Sequence, residues 1–134
     1  MGIVSLEVDD LLAMHAELLR ESGEDVGWVN RGCVESSLAM PQASFAGVER
    51  YPSLAAKAAA YLVFLANNHC FGQGNKRIAA MAMVAFLHEN GFELGGRHLW
   101  PGQIASLVLD IVKHRCEHEG AERWIDRRLV TSPR

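Results

Sequence analysis

The chain has 134 residues, 49% hydrophobic and 22% charged, with 13 Lys and Arg against 16 Asp and Glu for a net charge of −3. That length suits one domain around one hydrophobic core, and the composition excludes disorder as a description of the whole. The slightly acidic balance argues against a dedicated nucleic-acid binder. The longest apolar run, Ile78 to Leu87, is far short of the roughly 20 residues that cross a bilayer.

Met1 to Glu7 lacks a basic stretch and turns acidic at once, so no secretory signal is expected. Leu11, Leu12, Met14, His15, Leu18 and Leu19 follow a helical period, with Asp9 or Ser5 as the expected cap. Ser22 to Asp25 reads as the end of that helix and a loop. A short helix is expected from about Cys33 to Met40, stopping before Pro41. Gln42 to Tyr51 fits either a loop or a short hairpin. Pro52-Ser53-Leu54 opens a helix that runs to about Asn67. After a glycine-rich break, a second helix spans about Asn75 to Asn90 and stops at Gly91. Its middle is apolar on every side, as in a helix surrounded by others. Gly95-Gly96 marks a turn. Ile104, Leu107, Val108, Ile111 and Val112 predict an amphipathic helix ended by Gly120, followed by a last short helix through Ala121, Trp124, Ile125 and Leu129 with a frayed tail. The predicted fold is an all-α, compact helical bundle around a buried central helix, about 75–90, in a single domain over residues 1–134. Three cysteines, Cys33, Cys70 and Cys116, are odd in number and scattered. No disulfide framework is expected, and a cytoplasmic setting is.

One loop carries chemistry: His69-Cys70-Phe71-Gly72-Gln73-Gly74-Asn75-Lys76-Arg77. Two glycines precede a helix N-terminus, where unpaired N–H groups and the helix dipole favour an anion. Glycine also lets a phosphate approach the backbone closely. Lys76 and Arg77 stand in the first helical turn, where the dipole disfavours cations, so a bound polyphosphate would explain them. His69 is the nearby group suited to accept a proton near neutral pH.

The string His-x-Phe-x-x-Gly-Asn-Lys-Arg, followed by an apolar helix ending Phe86-Leu87-x-x-Asn90-Gly91, resembles the Fic/Doc superfamily, specifically its Doc (death-on-curing) branch. Val34-Glu35-Ser36-Ser37-Leu38-Ala39, Tyr51-Pro52-Ser53-Leu54-Ala55 and Leu11-Leu12-x-x-His15 resemble flanking segments of that family. The likeness covers about residues 5 to 95. It implies a Doc-like toxin of a toxin–antitoxin system, a phosphotransferase that moves a phosphoryl group from ATP to a Ser or Thr hydroxyl of a target protein. The implied cofactors are ATP and Mg²⁺. The implied target is a translation factor such as elongation factor Tu, with translation inhibited. The implied neutralising partner is a Phd-like antitoxin, with no membrane and no direct nucleic acid involved. By the same resemblance His69 is the general base, Asn75 orients phosphates, Lys76 and Arg77 hold phosphate oxygens, and Gly72 and Gly74 supply the N–H cradle.

This chain departs from the pattern at Gln73, where the family has an acidic Mg²⁺ contact, so Gln73 is a weak metal ligand here. Val29-Asn30 replaces the family's Arg-Asp pair. Ala80 stands where AMP-transferring relatives carry a second arginine, which fits the Doc branch. No self-inhibitory helix is evident. The alternatives are AMP transfer, or a catalytically degenerate Doc-like binding module because of Gln73.

Elsewhere the bland readings prevail. His114-x-Cys116-x-His118 puts two histidines on one helical face without a fourth zinc ligand. His88 and His98 read as surface, and Trp28, Trp100 and Trp124 as core or rim packing. Met14, Met40, Met81 and Met83 read as core filling. Arg123, Asp126, Arg127 and Arg128 read as a solvated face.

Overall fold

A computed structural model describes residues 2–96 and 102–133. His98 and Trp100 lie outside the described residues. Among those described, six α-helices run in the order α1 (Val8–Glu21), α2 (Arg31–Ala39), α3 (Leu54–Asn67), α4 (Asn75–Glu89), α5 (Ile104–Val112) and α6 (His118–Arg128). Two short antiparallel pairs accompany them: β1 (Ser44–Phe45) with β2 (Val48–Glu49), and β3 (Phe92–Leu94) with β4 (Leu129–Thr131). The expected helical bundle is what forms.

Helices α3 and α4 are the centre. They pack most extensively on each other, and α3 also carries α2, α5 and α6. The reason lies in their small side chains. Ala55, Ala56, Ala58, Ala59 and Ala60 on α3 and Ala79, Ala80 and Ala82 on α4 are all buried. Small side chains let helix axes approach, and Leu62, Leu65, Ile78, Met83, Phe86 and Leu87 fill the remaining space. Ser53 caps α3, its hydroxyl accepting from the Ala56 N–H at 3.0 Å. Gly91, at φ 85°, lies just past the end of α4. The α4 helix is not enclosed on every side. Met81, Val84, Ala85 and His88 line an open apolar groove with Met14 and Leu18 of α1, Leu94 of β3 and Ile104 of α5.

Several local expectations shift. Neither Asp9 nor Ser5 caps α1; Glu7 holds the cap position without a side-chain bond. Helix α2 begins two residues earlier than expected because the Asn30 side chain accepts from the Cys33 N–H at 3.0 Å. Pro41 sits inside a 3-10 turn, Met40–Gln42, which continues directly from α2. The segment after it is a hairpin. Lys57, 4% exposed, anchors that hairpin by donating to Glu49 Oε1 at 2.9 Å and to the Tyr51 carbonyl at 2.6 Å.

Gly120 does not end α5. That helix stops at Val112, and His114 takes the left-handed conformation at φ 59°, so Gly120 falls inside α6. The tail after α6 is not frayed, since Leu129–Thr131 pairs with β3 in the register Leu94↔Leu129.

The expectation of no disulfide is overturned. Cys33 and Cys70 are bonded, with their Cα atoms 5.2 Å apart, and Cys116 is free. Backbone pairing brings them together. The Asn30 N–H donates to the Cys70 carbonyl at 2.8 Å and Val29 bridges Phe71, which lays the start of α2 along the loop before α4.

Candidate active site

The loop 69–74 joins the two central helices. Its strongest anchor is Phe71, 1% exposed, whose ring stacks on that of His15 at 3.9 Å between centroids. Asn75, the first residue of α4, closes the loop with a two-way clamp. Its Oδ1 accepts from the Phe71 N–H at 3.1 Å and its Nδ2 donates to the Phe71 carbonyl at 2.9 Å. This amide group shapes the loop.

Backbone geometry at both loop ends is unusual. Gly74, the cap of α4, adopts φ 81°, and a Cβ built there would stand 3.2 Å from Leu19 Cδ2. The positive φ favours glycine, and any side chain here would press on the end of Leu19. His69 has φ 51° without being glycine. Such a backbone costs about 1–3 kcal/mol and persists where surrounding structure enforces it. Here the neighbouring residue is pinned twice, by the Cys33–Cys70 bond and by the Asn30 N–H. The His69 side chain is exposed.

The N–H groups divide. That of Gly72 donates to the Trp28 carbonyl at 2.9 Å, so it is committed to the chain and is not a free member of the expected cradle. A side chain at Gly72 would meet the Trp28 indole at 3.0 Å. The N–H groups of Gln73, Gly74, Asn75, Lys76 and Arg77 have no acceptor among the described residues. The first acceptance into α4 is Ile78 N–H to the Gly74 carbonyl at 2.9 Å. A cluster of unpaired donors at a helix N-terminus favours negative charge. Among the described residues the unpaired donors thus start at Gln73 and include Gly74.

The two cations differ. Lys76 is exposed and forms no ion pair among the described residues. Arg77 is engaged with Glu24 from the α1–α2 connection, Nη1 to Oε2 at 2.6 Å and Nη2 to Oε1 at 3.0 Å. That two-pronged pair, helped by Ser22, pulls the Glu24 carboxyl down to about 2 and raises the Arg77 guanidinium. Gln73 donates its side-chain N–H to the Asp25 carbonyl. Two motif side chains are therefore bonded to one acidic segment of the same chain.

The donor set fits phosphate oxygens: clustered N–H groups, an exposed lysine and a helix dipole. For a divalent cation the motif offers the Gln73 amide oxygen and no carboxylate. Among the described residues no three His, Cys, Asp or Glu side chains converge as metal ligands. No helix among them is long and apolar enough to cross a membrane.

Reading the sequence missed His15 as part of this site. It is 1% exposed, and its Nε2 lies 2.9 Å from the Gln73 carbonyl. The signal available was a polar residue within a row of leucines, Leu11, His15 and Leu19. Glu24 and Trp28 were also missed, because nothing in local spacing ties them to the motif.

Outside the site, His118 is largely buried against Tyr51, 4.4 Å between rings, and neither ring nitrogen has a hydrogen-bond partner among the described residues. Burial pushes its imidazole below the usual range, against the pull of Glu122 and Glu119.

A 63-residue stretch of this chain is 49% identical to a protein named Toxin Doc from Mycolicibacterium smegmatis (strain ATCC 700084 / mc(2)155). The match covers 47% of this chain and 48% of that protein, so it spans about half of each. Residues 5–87, which contain α1 to α3, the motif loop and most of α4, match the Fic/DOC family. With more than half its length inside that match and the family's loop placed at the head of a central helix, the chain belongs to the Fic/DOC family.

Proposed function

We propose that this protein is a Doc-like toxin of a toxin–antitoxin system that transfers a phosphoryl group from ATP to a Ser or Thr hydroxyl of a target protein. The observation that carries the reading is the juxtaposition along one loop: an exposed histidine at one end and, at the other, a helix N-terminus with an exposed lysine and five N–H groups that have no acceptor among the described residues. Phosphoryl transfer asks little of a protein beyond this, since positioning and charge stabilisation dominate its catalysis.

His69 takes the proton of the target hydroxyl as its oxygen bonds to the γ-phosphorus. The bond from that phosphorus to the bridging oxygen breaks, and ADP leaves. The N–H groups of Gln73 to Arg77 and the Lys76 ammonium hold phosphate oxygens, while Asn75 keeps the loop in shape. Arg77 joins them by exchanging Glu24 for phosphate. Gln73 would be a weak protein contact for Mg²⁺, held mainly by the nucleotide, and the ion would supply neutralisation of phosphate charge.

The target is a translation factor such as elongation factor Tu, reached in the cytoplasm. A Phd-like antitoxin neutralises the activity by laying an acidic or amphipathic segment over loop 69–77, complementary to its positive mouth. A binding module without catalysis is the second reading. It is favoured by the engagement of Gln73 and Arg77 within the chain.

Mass spectrometry of elongation factor Tu after incubation with the protein, ATP and Mg²⁺ separates the readings. Gain of one phosphate, lost in His69→Ala, is the expected result. Gain of AMP indicates Fic-type transfer. An unmodified target, in a lysate as well as in isolation, favours the binding module and overturns the phosphotransferase.

A further inference from the structure

Helix α1 buries a row one turn apart, Leu11, His15 and Leu19. A histidine in such a row carries a desolvation cost that two leucines do not, so its ring should be bonded. It contacts the motif loop in two ways. The ring face lies on Phe71, and Nε2 stands 2.9 Å from the Gln73 carbonyl oxygen. A carbonyl oxygen only accepts, so Nε2 carries the hydrogen.

The consequence follows from the peptide bond. The carbonyl of residue 73 and the N–H of residue 74 belong to one planar trans unit and point in opposite directions. Drawing the Gln73 oxygen down onto α1 therefore turns the Gly74 N–H away from α1. That N–H has no acceptor among the described residues. The same helix also floors the loop, since a Cβ on Gly74 would lie 3.5 Å from His15 Nε2 and 3.2 Å from Leu19 Cδ2. Asn75 fixes the peptides on either side of Phe71. The peptide between residues 73 and 74 is held by His15.

We propose that His15 is a positioning residue for phosphate binding: its Nε2–H locks the 73–74 peptide so that the Gly74 N–H, and not the Gln73 carbonyl, faces the anion. This rests on the reading of loop 69–77 as a phosphate cradle. Without the bond the peptide can rotate and present an oxygen to the phosphate.

Two substitutions separate the hydrogen bond from packing. His15→Phe keeps a ring against Phe71 and removes the donor. His15→Gln keeps an N–H donor of similar reach and loses the stack. Calorimetric titration with Mg·ATP is expected to show affinity weakened about tenfold in His15→Phe, the loss of one donor to a charged group. His15→Gln is expected to stay within about threefold of the unaltered chain, whichever variant melts lower. In ¹H–¹⁵N spectra the Gly74 amide should move in His15→Phe and hold in His15→Gln.

Unaltered affinity in His15→Phe, or equal weakening in both variants, overturns the proposal. If the unaltered chain binds no ATP, the phosphate reading falls with it. The Gly74 amide then decides the positioning by the same pattern. Should His15→Phe not fold, ¹⁵N shifts of the His15 ring in the unaltered chain decide. An Nε2-protonated ring supports the lock, and an Nδ1-protonated ring removes it.

Discussion

Reduction of the Cys33–Cys70 bond should destabilise the protein by an amount set by chain topology. The two cysteines are 37 residues apart. Closing a loop of that length removes about 13 cal/mol/K from the unfolded ensemble, which is about 4 kcal/mol at 25 °C. For a chain of 134 residues that corresponds to a fall in melting temperature of about 10–15 °C. The assay is thermal unfolding by circular dichroism of the air-oxidised protein with and without dithiothreitol, beside a Cys33→Ser/Cys70→Ser variant. The variant should melt with the reduced protein and should not respond to reductant. Thiol titration gives an independent check: one reactive thiol, Cys116, in the oxidised unfolded chain, and three after reduction. Three thiols before reduction, or a melting temperature unmoved by reductant, would refute the pairing and the reasoning built on it. The bond also ends one residue from His69, so reduction should raise amide exchange at residues 68–71 more than in the body of α4.

Further expectations concern charge. Gln73→Asp adds a carboxylate where the motif has none. It should tighten the Mg²⁺-dependent part of ATP binding about fivefold, about 1 kcal/mol; an unchanged Mg²⁺ dependence in calorimetry would separate residue 73 from the metal. Glu24 is held down to about 2 from an ordinary 4.5, so its pairing with Arg77 contributes stability that is complete above pH 4.5 and is lost as pH falls toward 2. Glu24→Gln should flatten that limb of the acid-unfolding curve, and an identical limb in both proteins would contradict the pair. His118 is also pushed down, by burial, and for a base that favours the neutral form in the fold. Its contribution is complete above the ordinary value of 6.5 and declines as pH drops below it. His118→Phe, which retains a ring against Tyr51, should remove that decline, as urea unfolding between pH 5 and 7 would register.

What the sequence determined by itself was local. Ser53 after Pro52 and Gly91 after an apolar run act through bonds and dihedrals within one helical turn, so α3 and α4 were legible to within a residue. The motif loop was legible for the same reason, since its glycines and its helix N-terminus are neighbours in the chain. Tertiary structure decided who bonds to whom across long separations. Gln73 meets His15 across 58 residues, Arg77 meets Glu24 across 53, and Cys70 meets Cys33 across 37. These pairs leave no periodic trace, because periodicity records which face of an element is buried and not which element covers it. Gly120 shows the limit from the other side. A glycine ends a helix where the chain needs a left-handed residue, but here His114 takes that conformation first, and Gly120 is left inside α6. The division within the site has the same origin. Where the segment before α2 and the buried face of α1 came to lie decided that the Gly72 N–H is bonded within the chain, while the Gly74 N–H is without an acceptor among the described residues.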